Sequence, residues 1–299
     1  MVAARLPKIE GPLTLVTGAS GFLGQHFMKE ARESSENFLC VTRSASVPES
    51  ENVKAIDSHT YEAIFDSLNV EKIVHLATEY GRQQSATLKV VSTNLELPLR
   101  LIENHNGTLK HFINVDSYFT KPKVIQNYLW EYSLSKRQLT EWLERLSINF
   151  ATSNVVLEHI YGPGDSPEKF VPWLTKSMLE SRDIDLSDGR QLRDWIYITD
   201  AAKALMVVHA QPLASLDQGL NRFEVGCGSN LSLRCFVETV MKISGSCSKL
   251  SFDSSKNRPN EPATSVADIT KLTELGWKPQ QSLESGIAAL IEYQRNIKE

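Results

Sequence analysis

The chain has 299 residues, 41% hydrophobic and 23% charged, an ordinary globular balance with length for one or two domains. A formal net charge of −4 gives no basic field for nucleic acid, so an anionic ligand must be gripped by local donors. The four cysteines (Cys40, Cys227, Cys235, Cys247) form no C-x-x-C pair, the seven histidines fall in no metal-ligand spacing, and no apolar run reaches the roughly 20 residues that span a bilayer.

Residues 1–12 carry no apolar signal segment and end in Gly11-Pro12. They read as a peripheral lead-in, and with the unpaired cysteines they predict a reduced, cytoplasmic protein without metal. Leu13–Thr17 is a short β-forming run closed by Gly18, and a helix is expected from Phe22 to about Glu33. Phe38–Thr42 reads as a second buried strand, 60–68 as helical, and Lys72–Leu76 as another strand. Helical spacing covers 86–105, His111–Val115 is strand-like, Tyr128–Leu146 is helical again, and Ser153–Leu157 is a strand. Strand and helix alternate, which predicts an α/β fold: a Rossmann-type doubly wound parallel sheet covered on both faces. The rhythm changes near Tyr161-Gly162-Pro163-Gly164-Asp165, beyond which irregular segments, a helix near 168–181 and a closing helix at about 282–297 are expected. The predicted organisation is a dinucleotide-binding domain over 1–160, with chain from about 193–225 returning to it, and a smaller α/β substrate domain over 161–299.

Thr17-Gly18-Ala19-Ser20-Gly21-Phe22-Leu23-Gly24 sets three glycines between a strand and a helix. Glycine permits a tight turn and close approach to a pyrophosphate, and the following helix offers free N–H groups and a positive dipole end. The second strand ends Cys40-Val41-Thr42-Arg43-Ser44, without the acid that would bind a ribose 2′-hydroxyl. Arg43 could instead pair with a 2′-phosphate, so NADP(H) is preferred, NAD(H) being the alternative. Tyr132 and Lys136 lie four apart in a helical stretch and share one face. A neighbouring ammonium favours the phenolate and suits the tyrosine to proton exchange with a carbonyl or alcohol. Ser117 follows the His111–Val115 strand, at the end that faces the ligand crevice in such sheets.

Loop, serine and tyrosine–lysine pair in this order resemble the extended short-chain dehydrogenase/reductase family of nucleotide-sugar epimerases, dehydratases and reductases. Further landmarks are His75-Leu76-Ala77, Asn94, Arg193-Asp194-Trp195-Ile196-Tyr197 and Leu275-Gly276-Trp277-Lys278-Pro279. The resemblance implies a catalytic set of Ser117, Tyr132 and Lys136. It implies a cofactor site of Gly18, Ser20, Gly21, Phe22, Leu23 and Gly24 with Arg43, Leu76, Ala77, Thr78 and Asn94, beside Tyr132 and Lys136. The substrate side would be Tyr80, Arg82, Ser117 and His159, with Arg193 and Arg258 clamping a sugar-nucleotide diphosphate. Surface ion pairing, as of Arg193 with Asp194, is the bland account of either arginine. His159 stands where relatives commonly carry Asn: it could reach the phosphates or simply pack in the core, and both readings stand. Helices near 86–105 and 128–146 imply a homodimer through a four-helix bundle.

Relatives that eliminate water carry an Asp-Glu pair after the catalytic hydroxyl residue, whereas Ser117 is followed here by Tyr118 and Phe119. Asp116 precedes the serine and should point away from it on an extended strand. Segments 75–82, 114–119 and 157–165 more particularly resemble nucleotide-4-keto-6-deoxysugar 4-reductases. The expected reaction is therefore NADPH-dependent reduction of a C4 ketone on a nucleotide-linked sugar. An NAD-dependent 4-epimerase is the alternative, and a non-catalytic dinucleotide-binding protein on the same fold the more distant one.

Overall fold

The computed structural model describes residues 11–43, 47–82, 86–121, 129–217 and 219–297. The lead-in up to residue 10, Ser44 and Tyr128 lie outside these. Strand β1 (Leu13–Thr17) is buried at all five positions, as a central parallel strand covered on both faces must be. It leads into α1 (Phe22–Arg32), whose Leu23, Phe27, Met28 and Ala31 form one buried stripe. Then come β2 (Asn37–Thr42), β3 (Val53–Asp57), α2 (Ser58–Ile64) and β4 (Val70–His75).

The helix expected over 86–105 is three pieces: α3 (Thr87–Val91), a π-helical turn (Ser92–Glu96) and α4 (Leu97–Asn104). Pro98 has no N–H to give to the carbonyl of Asn94 four residues back, and the ladder widens just before it. There follow β5 (His111–Ser117), α5 (Trp130–Leu146), β6 (Ala151–Leu157) and β7 (His159–Tyr161). The later chain is α6 (Phe170–Leu179), β8 (Ile184–Leu186), β9 (Leu192–Arg193), β10 (Trp195–Tyr197), α7 (Ile198–His209) and β11 (Leu220–Val225). It ends with β12 (Leu231–Ser232), α8 (Leu233–Ser244), β13 (Leu250–Phe252), α9 (Thr270–Glu274) and α10 (Leu283–Asn296).

Seven strands form one sheet in the order β11-β6-β5-β4-β1-β2-β3, with β1–β2, β1–β4, β2–β3 and β4–β5 all parallel. The fold is Rossmann-type. Strand order reverses between β1 and β4, and ligands of open α/β sheets bind outside the carboxyl ends of the strands at such a reversal. Short pairs β7–β10, β9–β12 and β8–β13 make up the remaining sheet structure among the described residues.

The chain divides into two compact units of similar size. The first comprises 1–115, 134–154 and 208–222; the second comprises 116–133, 155–207 and 223–299. Late in the sequence, 208–222 returns to the first unit. Leu15, Leu39, Ile73, Leu101, Phe112 and Leu139 anchor the core of the first unit. Among the described residues no helix is long and apolar enough to cross a membrane, and no group of three or more His, Cys, Asp or Glu could hold a metal.

Candidate active site

The glycine loop closes on itself at the end of β1. Gly18 has φ +73°, a left-handed conformation that favours glycine, and its carbonyl accepts the Gly21 N–H at 3.0 Å. A Cβ on Gly18 would lie 2.6 Å from the Leu76 carbonyl carbon, and one on Gly24 2.7 Å from the Ala19 Cα. Only a chain without side chains here lets the loop lie against both the end of β4 and the start of α1. Gly21 caps α1 with no side-chain bond, and no acid occupies the helix's first turn. The helix end thus keeps N–H groups and its positive dipole end for an anion, as a dinucleotide pyrophosphate requires. Arg43 is exposed just beyond β2.

The end of β4 is tied to β1 by side chains. Thr17 Oγ1 is 2.8 Å from His75 Nδ1, and the Leu76 N–H donates to the Thr17 carbonyl at 3.1 Å. His75 is fully buried, and burial, with the nearby Lys136 ammonium adding to it, holds its imidazole well below the usual range, so the ring is neutral. Asn94, buried in the π-helical turn, accepts the Glu79 N–H at 2.7 Å and donates to the Glu79 carbonyl at 2.8 Å and Ser135 Oγ at 3.0 Å. Thr78 Oγ1 lies 3.3 Å from the same amide oxygen. Asn94 therefore braces the loop after β4 against the residue preceding Lys136. Leu76, Ala77 and Thr78 are half-buried in that loop, as are Tyr80 and Arg82, the guanidinium lying 5.3 Å from the Tyr80 ring centre.

Helix α5 places Tyr132 and Lys136 one turn apart, 5% and 2% exposed. The Lys136 ammonium donates to the Val115 carbonyl at 2.8 Å, near the end of β5. Ser117, the last residue of β5, is buried, and its Oγ accepts the Phe119 N–H at 3.4 Å. The Phe119 ring stands edge-on to Tyr132 with centres 6.0 Å apart, and Tyr118 lies 4.3 Å from Phe119. The Asp116 carboxylate accepts from the Ser117 N–H at 2.8 Å and from Thr120 Oγ1 at 2.8 Å.

In the second unit Arg193 is 3% exposed and donates to the Leu192 and Pro262 carbonyls and to Glu261 Oε1, each at 2.8 Å. Its ionic partner is thus Glu261 and not the neighbouring Asp194. Three of its five N–H donors are taken, which leaves two among the described residues. Asp194 instead accepts three backbone N–H groups, from Cys227 (2.6 Å), Gly228 (3.1 Å) and Ala267 (3.1 Å). Gly226 makes room for this, since a Cβ there would lie 2.7 Å from Asp194 Cγ. Burial pushes the Asp194 carboxyl up to about 6 against the pull of those donors. Arg258 is exposed.

The His159 ring lies 4.3 Å from Tyr118 and 5.2 Å from Trp195, with Nδ1 3.7 Å from Glu158 Oε2. Burial lowers its pKa despite that carboxylate, so it is a neutral, ring-packed residue at neutral pH. Glu158 has a fully buried side chain held by Lys121 and by Ser265 Oγ. Burial pushes its carboxyl up, but the contacts with His159, Lys121 and Ser265 outweigh this and hold it below the usual range. The sequence reading passed over Lys121, Glu158, Asp194 and Glu261. Of these only Asp194 had a local signal, its place beside Arg193.

The family model described as the NAD dependent epimerase/dehydratase family matches residues 14–226. A CDP-abequose synthase from Salmonella muenchen is 31% identical, covering 93% of this chain and 96% of its own length. Another from Salmonella typhimurium is 29% identical over 93% of this chain and 97% of its own. The UDP-glucose 4-epimerase of Thermotoga maritima, solved with UDP-glucose, superposes with a TM-score of 0.81 at 23% identity, covering 96% of this chain and all of that one. The UDP-glucuronic acid 4-epimerase of Bacillus cereus, solved with UDP-glucuronic acid and NAD, gives 0.80 at 21% identity, over 95% and 99% of the two chains. These two show likeness of fold. With a family match over more than two-thirds of its length and a relative above 30% identity, the chain belongs to the NAD dependent epimerase/dehydratase family of extended short-chain dehydrogenase/reductases.

Proposed function

We propose that this enzyme uses NADPH to reduce the C4 ketone of a nucleotide-linked 4-keto-6-deoxyhexose, with CDP the nucleotide that the relatives' names favour. The observation that carries the reading is the surroundings of the catalytic hydroxyls. The Phe119 ring, backed by Tyr118, stands edge-on to Tyr132 just after Ser117, where elimination of water would need a carboxylic acid and base. The nearby Asp116 is engaged by the Ser117 N–H and Thr120. Such aromatic surroundings suit one proton transfer to a ketone oxygen and no dehydration.

Bound at the glycine loop, the dinucleotide supplies the hydride. Tyr132 gives its phenolic proton to the C4 oxygen while the Ser117 hydroxyl holds that oxygen. Lys136, seated on the Val115 carbonyl, contacts the cofactor ribose and favours the phenolate. Arg43 pairs with the 2′-phosphate, and Arg258 with the two remaining donors of Arg193 holds the substrate diphosphate.

NADPH oxidation across a panel of CDP-, dTDP-, GDP- and UDP-linked 4-keto sugars tests the proposal. One NADPH should be consumed per 4-hydroxy sugar formed. Tyr132→Phe should lower turnover by about 10²–10⁴ while substrate binding survives. Interconversion of two 4-hydroxy epimers without net NADPH consumption would replace the reductase by an epimerase. A homodimer belongs to the same proposal: Leu88 (79% exposed), Val91, Leu134 and Trp142 leave apolar surface on α3 and α5 for a second copy to cover. Light scattering that gives only monomer would refute it.

A further inference from the structure

The second unit contains a strap, residues 258–268, that begins at Arg258, pairs by backbone with Leu192 and is held further by five charged side chains. Arg193 holds the Pro262 carbonyl and Glu261, and Asp194 takes the Ala267 N–H. Glu158 accepts from Ser265 Oγ, and Glu224 takes the Asp268 N–H at 3.1 Å. Lys121 adds a fifth hold from a different direction. Its ammonium has three donors, and all three are placed: on Glu158 Oε1 (2.5 Å), Glu224 Oε2 (2.7 Å) and the Val266 carbonyl (2.7 Å).

Lys121 ends the turn that begins at Ser117. Within that turn Thr120 Oγ1 lies 2.9 Å from the Ser117 carbonyl, and the Lys121 N–H donates to the Tyr118 carbonyl at 3.1 Å. The turn is therefore short and internally bonded, so a displacement of the ammonium is carried back to the serine. A lysine needed only for stability could have paired with a single carboxylate. This one, 13% exposed, joins the buried Glu158 and half-buried Glu224 carboxylates to a strap carbonyl, and so fixes the serine turn and the arginine strap to the same point.

We infer that Lys121 is a positioning residue, whose ammonium sets the strap bearing Arg258 and the turn bearing Ser117 in one register for a nucleotide diphosphate ligand. This rests on the proposed assignments of Ser117 and Arg258. It adds a coupling that those assignments do not need: diphosphate affinity and serine alignment depend on one half-buried cation, four residues from Ser117 and far from Arg258 along the chain.

The test is a double-mutant cycle on the full-length protein, with CDP, dTDP, GDP and UDP as probes in calorimetry and NADPH as the control ligand. Lys121→Met should weaken the nucleoside diphosphate that binds wild type by about tenfold or more, with NADPH affinity changed less than about threefold. In an Arg258→Ala background the same change should have little further effect, because the strap no longer presents the cation. Lys121→Arg, which keeps the charge and reach, should restore most of the affinity. If Lys121→Met does not fold, Lys121→Met/Glu158→Gln/Glu224→Gln removes the unpaired charges, and should fold and still bind the diphosphate weakly. Equal losses with and without Arg258, or wild-type affinity in Lys121→Met or in the triple variant, would overturn the inference and leave the proposed function standing. A wild-type protein that binds none of the four diphosphates would remove the nucleotide-sugar reading itself, and the inference with it.

Discussion

The two units bury polar side chains of different kinds. In the first, the buried partners are neutral: Thr14 with His209 (2.9 Å), Thr17 with His75 (2.8 Å), Tyr61 with His105 (2.9 Å), His111 with Ser153 (2.8 Å) and Asn114 with Asn154 (2.7 Å). In the second, charged groups join the buried serines and threonines: Glu158, Arg193, Asp194 with half-buried Lys121, and Asp200, which takes the N–H groups of Gln280 and Gln281 at 2.9 and 2.8 Å. The cause is the backbone. A parallel ladder satisfies its own N–H and C=O groups, so side chains beneath it need only satisfy one another. Strands of two or three residues leave many backbone groups over, and a buried carboxylate or guanidinium can collect several at once. Lys136 is the buried cation of the first unit among the described residues, and it is a residue proposed for catalysis.

The largest effect that this contrast predicts is at Asp194. Asp194→Ala leaves three backbone N–H groups without their acceptor, and the fold should lose about 3–5 kcal/mol, the scale of breaking a buried charged contact. Hydrogen exchange should rise at Cys227, Gly228 and Ala267 before it rises in β1 or β4. Asn114→Ala, which removes one neutral partner, should cost about 1–3 kcal/mol. Equal losses in urea denaturation would break the contrast.

Acid should sharpen it. Burial, with the Lys72 ammonium adding to it, holds His111 and His209 down at about 3, against about 6.5 in the unfolded chain. A folded-state value below the unfolded one means that the unfolded chain takes up more protons as pH falls. Their contribution to stability is thus complete above about 6.5 and is lost steadily towards 3. Each should remove about 1.4 kcal/mol per pH unit in that window. Asp194 runs the other way. Its carboxyl is raised to about 6, so the penalty for burying its charge, present above that value, is relieved between about 6 and 4. Chemical denaturation from pH 7 to 5 should show the first unit weakening, with a shallower slope in His111→Gln. A slope unchanged by that substitution would show His111 to be titrating normally.

The same contrast explains what was legible in the sequence. A regular sheet with amphipathic helices writes its period locally, so β1, α1, β2, β4, β5 and α5 fall within a few residues of the expected ranges. That Tyr132 and Lys136 lie one turn apart on a helix was readable because a helix fixes the meaning of a four-residue spacing. Helix α7 was not, because Ala201, Ala202, Ala204, Leu205 and Val208 are all buried and leave no polar face to mark a period. The ion pairs of the second unit left no trace, since Arg193 meets Glu261 68 residues away and Lys121 meets Glu158 37 residues away. No local spacing encodes such a meeting. The bland account of Arg193, an ion pair with its neighbour Asp194, fails for that reason, since Asp194 serves the backbone instead.

The smallest predicted effect comes from a pair of lysines that differ mainly in burial. Lys110 meets Glu71 at 2.8 Å in the first unit, and Lys121 meets Glu224 at 2.7 Å in the second. The distances are nearly equal, but the Lys110 side chain is 51% exposed and that of Lys121 13%. Water screens the first pair and solvates either partner when the other is removed, so Lys110→Met should cost about 0.2–1 kcal/mol and less in high salt. Removing Lys121 strands two carboxylates that water reaches poorly, and the loss should be several times larger and nearly independent of salt. Urea denaturation of both variants at about 0.05 and 0.5 M sodium chloride separates the two cases. If Lys110→Met proves as costly as Lys121→Met, or if the loss at Lys121 falls with salt as a surface pair's does, then burial does not set the worth of these charges. The division between a neutral interior and a charged one would then describe composition without energetic consequence.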